Sequence, residues 1–534
     1  MKRKTLLFLS LLIVLSMALA ACQPDADTEE PPVADQGTEE TTTEEPEEPA
    51  FKTGGTVNYM ISSEPTTLLA WTTRNPTDIS VLHITNEFLM MYDENGAAQP
   101  YLIESITPDQ DSLTYTFVVK QGVKFHDGSD LNADVVAWNL NKYKESGVLS
   151  GSFYGKFDNA EAVDEYTVVA NMNQWDSLWP TALARTCFIT SKLAFETYGE
   201  DYLQEHPVGT GPFMFDSWDH DVSVNFVAFE DYWRGTPRLD GLNMVIYTNP
   251  QIAAAALETG ELDILPVDVY DLAISLEGKE GIIVDTSALT GTGFTLCFNA
   301  MDEDDPFYDL RVRQAVGYAI DAETIAEVTT KGYYFESNQW AKSVDPVYSP
   351  NVTGFPYNPT KAKELLADAG YEDGFTTRIV LEVNKLEDGA QIIAQQLADV
   401  GITVEILIVE RANFKAYIGD HEYGMLLHPM GTRNGQASQL AANFVQGLDF
   451  ALGVDTFLHT DEVNDMINEA VAADEETAID LFQDIAYKVF EEQALMKVIV
   501  LTKNVVAYNA DLKESDIYAT GLYADSWHLA WLDE

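Results

Sequence analysis

The chain has 534 residues, 46% of them hydrophobic, so it can bury large cores, and its length allows about three domains. Its 87 acidic and 30 basic side chains leave a net charge of −57. That balance argues against nucleic-acid binding, which needs clustered Lys and Arg to neutralise phosphates.

Lys2, Arg3 and Lys4 precede an apolar run over residues 6–15, followed by Leu19-Ala20-Ala21-Cys22. With its flanks the run is too short for a transmembrane span and reads as a secretory signal. Leu19 to Cys22 resemble a bacterial lipobox. The resemblance implies a lipoprotein signal peptide over 1–22, acylation of Cys22, and anchorage at the outer, extracytoplasmic face of the cytoplasmic membrane. Residues 23–50 hold eleven acids and five prolines with no Lys, Arg or aromatic residue, so they read as a disordered acidic tether. Residues 51–534 retain 76 acids and 27 bases, a surface that suits saline or alkaline surroundings where salt screens self-repulsion. Cys187 and Cys297 read as two buried free thiols rather than a disulfide, and no Cys/His cluster has zinc spacing.

The globular part opens with a strand at Thr56-Val57-Asn58-Tyr59-Met60, a loop at Ser62-Ser63-Glu64-Pro65-Thr66-Thr67-Leu68, and a helix over 79–91 with Leu82, Phe88 and Leu89 inward. Residues 113–144 read as strand, turn, strand, turn, helix. Tyr115, Phe117 and Val119 alternate with polar neighbours, the period of a half-buried strand. Val123-Lys124-Phe125 resumes that strand after Gln121-Gly122, and His126-Asp127-Gly128-Ser129 is turn chemistry. Asn132 caps a helix carrying Val135, Val136, Trp138, Leu140 and Tyr143.

Further along, 166–170 is a strand and Trp179-Pro180 opens a short helix through Arg185. Residues 213–229 are paired strands; Pro250 opens and Gly260 closes a helix. An apolar strand covers 292–299. Asp321 and Asn358-Pro359 begin further helices, the second stopped by Gly370. A helix over 390–400, a strand over 402–409, two amphipathic helices in 461–492 and strands at 496–501 and 505–508 complete the pattern. Repeated strand–helix alternation argues an α/β architecture.

Six blocks carry a family resemblance. They are LTYTFVVKQGVKFHDGSDLNADVV from Leu113, PVGTGPF from Pro207, DYWRGTPRLD from Asp231, GELD from Gly260, PFYDLRVRQAVGYAID from Pro306 and PTKAKELLADAGY from Pro359. Together they resemble the peptide/nickel family (family 5) of ABC-importer solute-binding proteins, of the oligopeptide-, dipeptide- and nickel-binding type. The resemblance implies a two-lobed, type II periplasmic-binding-protein-like α/β fold of the large cluster, with an extra subdomain and lobes joined by two hinge strands. Residues 51–96, 206–289 and 501–534 would form the first lobe, 97–205 its extra subdomain, and 290–500 the second lobe. It further implies a monomer without cofactor that closes on a short peptide or similar carboxylate-bearing solute and delivers it to ABC permease and ATPase subunits. A nickel or other metal chelate, or an oligosaccharide, is the alternative cargo in the same fold.

Enzyme motifs are missing. G-x-S-x-G, Walker A and a complete G-x-G-x-x-G do not occur, and His421-Glu422 is followed by Tyr423-Gly424-Met425 rather than the rest of H-E-x-x-H. The chain is expected not to be an enzyme and to have no catalytic or metal-ligating residues.

Ligand candidates come mostly from the resemblance. Arg185 lies where the nickel-binding branch places an arginine that holds a chelate's carboxylates, and Phe153 and Tyr154 lie near that branch's cleft tryptophan. The strand through His428 is similar to the branch's FGM-FH, and Arg433 and Asn434 stand in the loop that follows. Trp71 comes where the family has Asp-Pro in a cleft-facing loop, and Trp340 is a further aromatic candidate. In so acidic a chain, Arg185 and Arg433 from opposite lobes would each offer a carboxylate a planar fork, with Trp71 and Tyr154 as apolar walls.

Overall fold

The structure, a computed structural model, describes residues 51–534 except 74, 94–96, 149–153, 268–269, 288, 384, 420, 432–434, 445–459, 515–525 and 534. Two large mixed sheets organise it. The first has seven strands in the order Ile282–Asp285, Val506–Asn509, Ile264–Pro266, Thr56–Ile61, Gly241–Ile246, Ser223–Ala228 and Phe213–Asp219. Thr56–Ile61 runs parallel to Gly241–Ile246 and Ile264–Pro266, and the remaining pairs are antiparallel. The second has six, ordered Tyr334–Glu336, Met496–Lys503, Leu289–Phe298, Met425–Gly431, Phe375–Glu382 and Ile402–Val409. There Phe375–Glu382 is parallel to both Ile402–Val409 and Met425–Gly431. We call the parts built on these sheets the first and second lobes.

The chain passes between the sheets twice, from Asp285 to Leu289 and from Lys503 to Val506. The crossings lie side by side, because Asp285 pairs with Val506 in one sheet and Leu289 with Lys503 in the other. A four-stranded antiparallel sheet, Ile103–Asp109, Thr114–Val119, Thr167–Met172 and Phe157–Ala162, forms a subdomain that shares the first lobe's core. Its Thr114–Val119 strand buries Tyr115, Phe117 and Val119, the alternation read from the sequence.

Period-2 patterning also separates the two faces of the second sheet. Phe294, Leu296, Phe298, Met425 and Leu427 enter one core, while Cys297, Leu426 and Met430 enter the other. Local capping follows the sequence closely. Asn132 accepts from the Val135 amide at 3.1 Å and begins Ala133–Ser146, while Pro250–Thr259 ends at Gly260 with φ +77°. Cys187 and Cys297 are buried and unbridged.

Two expectations fail for non-local reasons. The helix expected over 79–91 is Pro76–Thr85. Asn86 leaves it in extended conformation to donate to Ile189 O at 2.9 Å, and Thr85 O accepts from the Gly211 amide at 2.9 Å. Residues Val123-Lys124-Phe125 make only an isolated bridge, Lys124 to Asp130, rather than a strand.

Candidate functional site

In a parallel α/β sheet, ligands gather outside the carboxyl ends of the strands, where loops leave the sheet and backbone groups are free to bind. Here those ends are Ile61, Ile246 and Pro266 on the first sheet, and Glu382, Val409 and Gly431 on the second. Both sets lie at the crossing edge: Pro266 pairs with Val506, and Gly431 pairs with Thr292 just past the other crossing. The two sheets therefore turn their carboxyl ends toward the space between the lobes.

On the first-lobe side stands the loop after Ile61. Glu64 is anchored there, accepting from His220 Nδ1 at 2.8 Å, the Asp221 amide at 3.1 Å and Trp218 Nε1 at 3.0 Å. These donors, His220 foremost, hold its carboxyl below the usual range.

Arg185 belongs to the helix Trp179–Thr186, whose Trp179, Ala182, Leu183 and Ala184 face the first-lobe core. Leu178, its N-cap residue, packs instead against the second lobe's core. Arg185 is seven residues on, two turns along the same face. Arg185 is partly buried, and among the described residues it makes no hydrogen bond or ion pair. In a strongly acidic protein, a partly buried arginine with no partner among the described residues is a ready partner for an anionic group.

At the second-lobe edge, His428 Nδ1 stands 3.5 Å from Glu382 Oε1, and its ring stacks on Phe414 with centroids 5.2 Å apart. Thr295 lies opposite His428 in the strand register and accepts from Trp340 Nε1 at 2.9 Å. The structure thus brings Trp340 and His428 together around Thr295.

Trp71 and Tyr154, expected as cleft walls, and the further candidate Trp340 are buried in the cores. Trp71 is 2% exposed, edge-on to Trp138 and Phe195 at 5.6 and 5.9 Å. Tyr154 is stacked on Tyr143 at 5.2 Å and packs beside Cys187, just past the end of the Arg185 helix. Trp340 is likewise buried, with Phe490 edge-on at 5.1 Å. Bulky apolar rings in α/β loops find core sites more readily than solvent-facing ones. Phe153, Arg433 and Asn434 lie outside the described residues, as does Cys22. Sequence reasoning missed Glu382, whose signal was a carboxylate closing the apolar strand Phe375–Glu382.

Three of the six family-like sequence blocks meet elsewhere, at a joint between subdomain and first lobe. Glu87, buried, accepts from Tyr101 Oη at 2.9 Å, Tyr232 Oη at 2.7 Å, Thr210 Oγ1 at 2.7 Å and Trp233 Nε1 at 2.9 Å. Burial raises its carboxyl pKa against the pull of these donors. Ser191 donates to Asp127, and His126 bonds Gly209 and Gly211. The KFHDG, PVGTGP and DYWRGTP segments are thus a structural joint.

Among the described residues no group of three or more His, Cys, Asp or Glu is placed to hold a metal ion, and no helix is long and apolar enough to cross a membrane.

The model of bacterial extracellular solute-binding proteins, family 5, matches residues 97–450. The chain belongs to this family. It is 30% identical over 388 residues to the glutathione-binding protein GsiB of Salmonella typhi, covering 70% of this chain and 74% of that one. Its fold is similar to CtaP, an ABC-transporter substrate-binding protein of Listeria monocytogenes, with TM-score 0.79 at 20% identity over 90% of this chain and all of that one (100%). It is also similar to the ABC-transporter-associated periplasmic binding protein DppA of Helicobacter pylori in complex with the peptide STSA, with TM-score 0.70 at 22% identity over 90% of this chain and 99% of that one. The protein is two-lobed, of the type II periplasmic-binding class, and is an extracellular solute-binding protein.

Proposed function

We propose that the protein captures a small organic solute bearing at least one carboxylate, a short peptide foremost, between its lobes and delivers it to an ABC permease. The observation that carries this reading is Arg185, partly buried, unpaired among the described residues, and on the helix whose N-cap residue, Leu178, touches the second lobe's core. A carboxylate there gains charge-assisted hydrogen bonds worth about 1.5–3 kcal/mol each. A ligand that touches both lobes binds the closed form best and shifts the population toward it. Arg433, two residues beyond the carboxyl end of Met425–Gly431, supplies the second fork, with Asn434 beside it. Similarity to a glutathione-binding protein and to a structure holding the peptide STSA supports this solute class.

The protein acts as a monomer at the outer face of the cytoplasmic membrane, tethered through lipid on Cys22, and returns its solute unchanged. Mass spectrometry of the co-purified solute, with thermal-shift screening of short peptides, glutathione, nickel–histidine mixtures and oligosaccharides, tests the solute class. A sugar as sole hit replaces the reading. Cys22→Ala releases the protein into the soluble fraction; retention on membranes overturns the anchor. Turnover of a bound peptide by pure protein overturns the assignment as a binder.

A further inference from the structure

The helix Asp461–Ala472 ends at the boundary between the lobes, and the last carbonyls of any helix lack partners within it. Here the carbonyls of Val471, Ala472 and Ala473 accept from the other lobe, and Ala470 O accepts both from it and from the Ala473 amide at 3.2 Å. Gln110 Nε2 donates to Ala472 O at 2.6 Å and Trp175 Nε1 to Ala473 O at 2.9 Å. The Ser177 amide donates to Val471 O at 2.9 Å, and its hydroxyl to Ala470 O at 3.0 Å. Each donor belongs to the subdomain or the segment leaving it. The helix carries Val463, Ile467, Ala470 and Val471 of the second lobe's core. Methyl side chains at Ala470, Ala472 and Ala473 leave room for this approach, and the partial negative charge of the helix end favours donors.

The donor segment is built to hold its shape. Trp175 stacks on Tyr115 with centroids 4.7 Å apart and planes 10° apart, and Tyr115 Oη donates to Asp176 O at 2.9 Å. Leu178, one residue past Ser177, touches the second lobe's core and immediately precedes the helix that carries Arg185. Over seven residues that helix rises about 10 Å. One rigid element therefore joins the contact at its start to the guanidinium near its end.

We infer that Gln110, Trp175 and Ser177 are an interlobe latch: they cap the open end of Asp461–Ala472 only when the lobes are closed, and so position the Arg185 helix and set the residence time of a solute they never touch. The inference rests on capture between lobes and not on the solute's identity. A latch that raises the closed fraction of the free protein raises apparent affinity by the same factor, because a competent state populated at fraction f weakens binding by 1/f.

Spin labels at Val163→Cys on the subdomain and Val344→Cys on the second lobe, both exposed in a protein whose own thiols in the described residues are buried, report the interlobe distance without ligand. The otherwise unaltered protein is expected to show a short-distance population. Combined Gln110→Ala, Trp175→Phe and Ser177→Ala substitution is expected to deplete it, while the phenyl ring keeps the stack on Tyr115 and the thermal midpoint stays within about 2 °C. Exposed Gln110→Ala alone gives a smaller shift in the same direction. With the co-purified solute, the triple variant releases about tenfold faster at an association rate unchanged within about twofold. Identical distance distributions in parent and triple variant, or no short-distance population in the parent, overturn the latch. Failure of every carboxylate solute to bind overturns the solute assignment and leaves the distance result standing.

Discussion

His126 Nε2 donates to the carbonyl of Gly211 at 2.9 Å, while its Nδ1 accepts from the Gly209 amide at 3.4 Å. Both ring nitrogens are therefore assigned in the neutral imidazole, and a second proton on Nδ1 would face an N–H. Burial lowers the His126 pKa from 6.5 to about 4, against smaller upward pulls from the Gly211 carbonyl and Asp127. A histidine with a depressed folded pKa contributes stability that is present above 6.5 and lost as pH falls toward 4. His83, buried beside Phe88 and Phe188, is lowered to about 4 by the same cause and adds to the loss. The denaturant midpoint should fall between pH 6.5 and 4. His126→Gln should flatten that slope by an amount of order 2 kcal/mol; a slope unchanged in the variant contradicts the assignment.

Glu87 gathers four donors from three separate stretches of chain, Tyr101, Thr210, and the adjacent Tyr232 and Trp233. Glu87→Ala leaves them unsatisfied in a buried site. Urea unfolding should show a loss of about 3–5 kcal/mol, since each orphaned donor costs roughly 1 kcal/mol or more. Its raised pKa means that stability from Glu87 is fully present at acid pH and declines as pH rises, opposite in sign to His126.

Gly209 and Gly128 need their missing side chains for different reasons. A Cβ on Gly209 would come 2.1 Å from Thr85 O and 2.7 Å from Asn86 Cα, both backbone. Gly128 has open space but φ +81°. Gly128→Ala should cost about 1 kcal/mol through its backbone conformation. Gly209→Ala should cost about 3 kcal/mol or abolish folding, because backbone must move. Equal midpoints for the two variants would contradict the close approach.

Cys187 and Cys297 should resist alkylation in the native protein and react with two equivalents of iodoacetamide only after denaturation, with Cys22 replaced by Ala. Burial pushes the Cys187 thiol up to about 12 and raises Cys297 as well, so the reactive thiolate is scarce. Rapid native labelling of either would contradict their burial.

What was readable in the chain was local. Asn132, Pro250 with Gly260, and Asn358-Pro359 mark helix ends by short-range hydrogen bonds and φ preferences, and the structure keeps each. Alternation at Tyr115, Phe117 and Val119 predicted which face is buried because a strand's period is geometric. The helix starting at Pro76 ended early because Asn86 serves partners about a hundred residues away. The Glu87 joint was invisible for the same reason. Trp71, Tyr154 and Trp340 show the limit most clearly. A large aromatic ring serves a cleft wall or a core equally well, and only tertiary packing decides. Family position singles out Arg185, but that it makes no hydrogen bond or ion pair among the described residues is not readable from the sequence.

Solute capture depends above all on a carboxylate meeting Arg185. Calorimetric titration of the identified short-peptide solute and its carboxamide analogue, into the native protein and into Arg185→Ala, measures this directly. The native protein should bind the carboxylate about 10- to 100-fold more tightly than the carboxamide, the equivalent of one charge-assisted bond of about 1.5–3 kcal/mol, and Arg185→Ala should erase that difference. Equal affinities of the native protein for the two forms, or a preference that survives in Arg185→Ala, would contradict it.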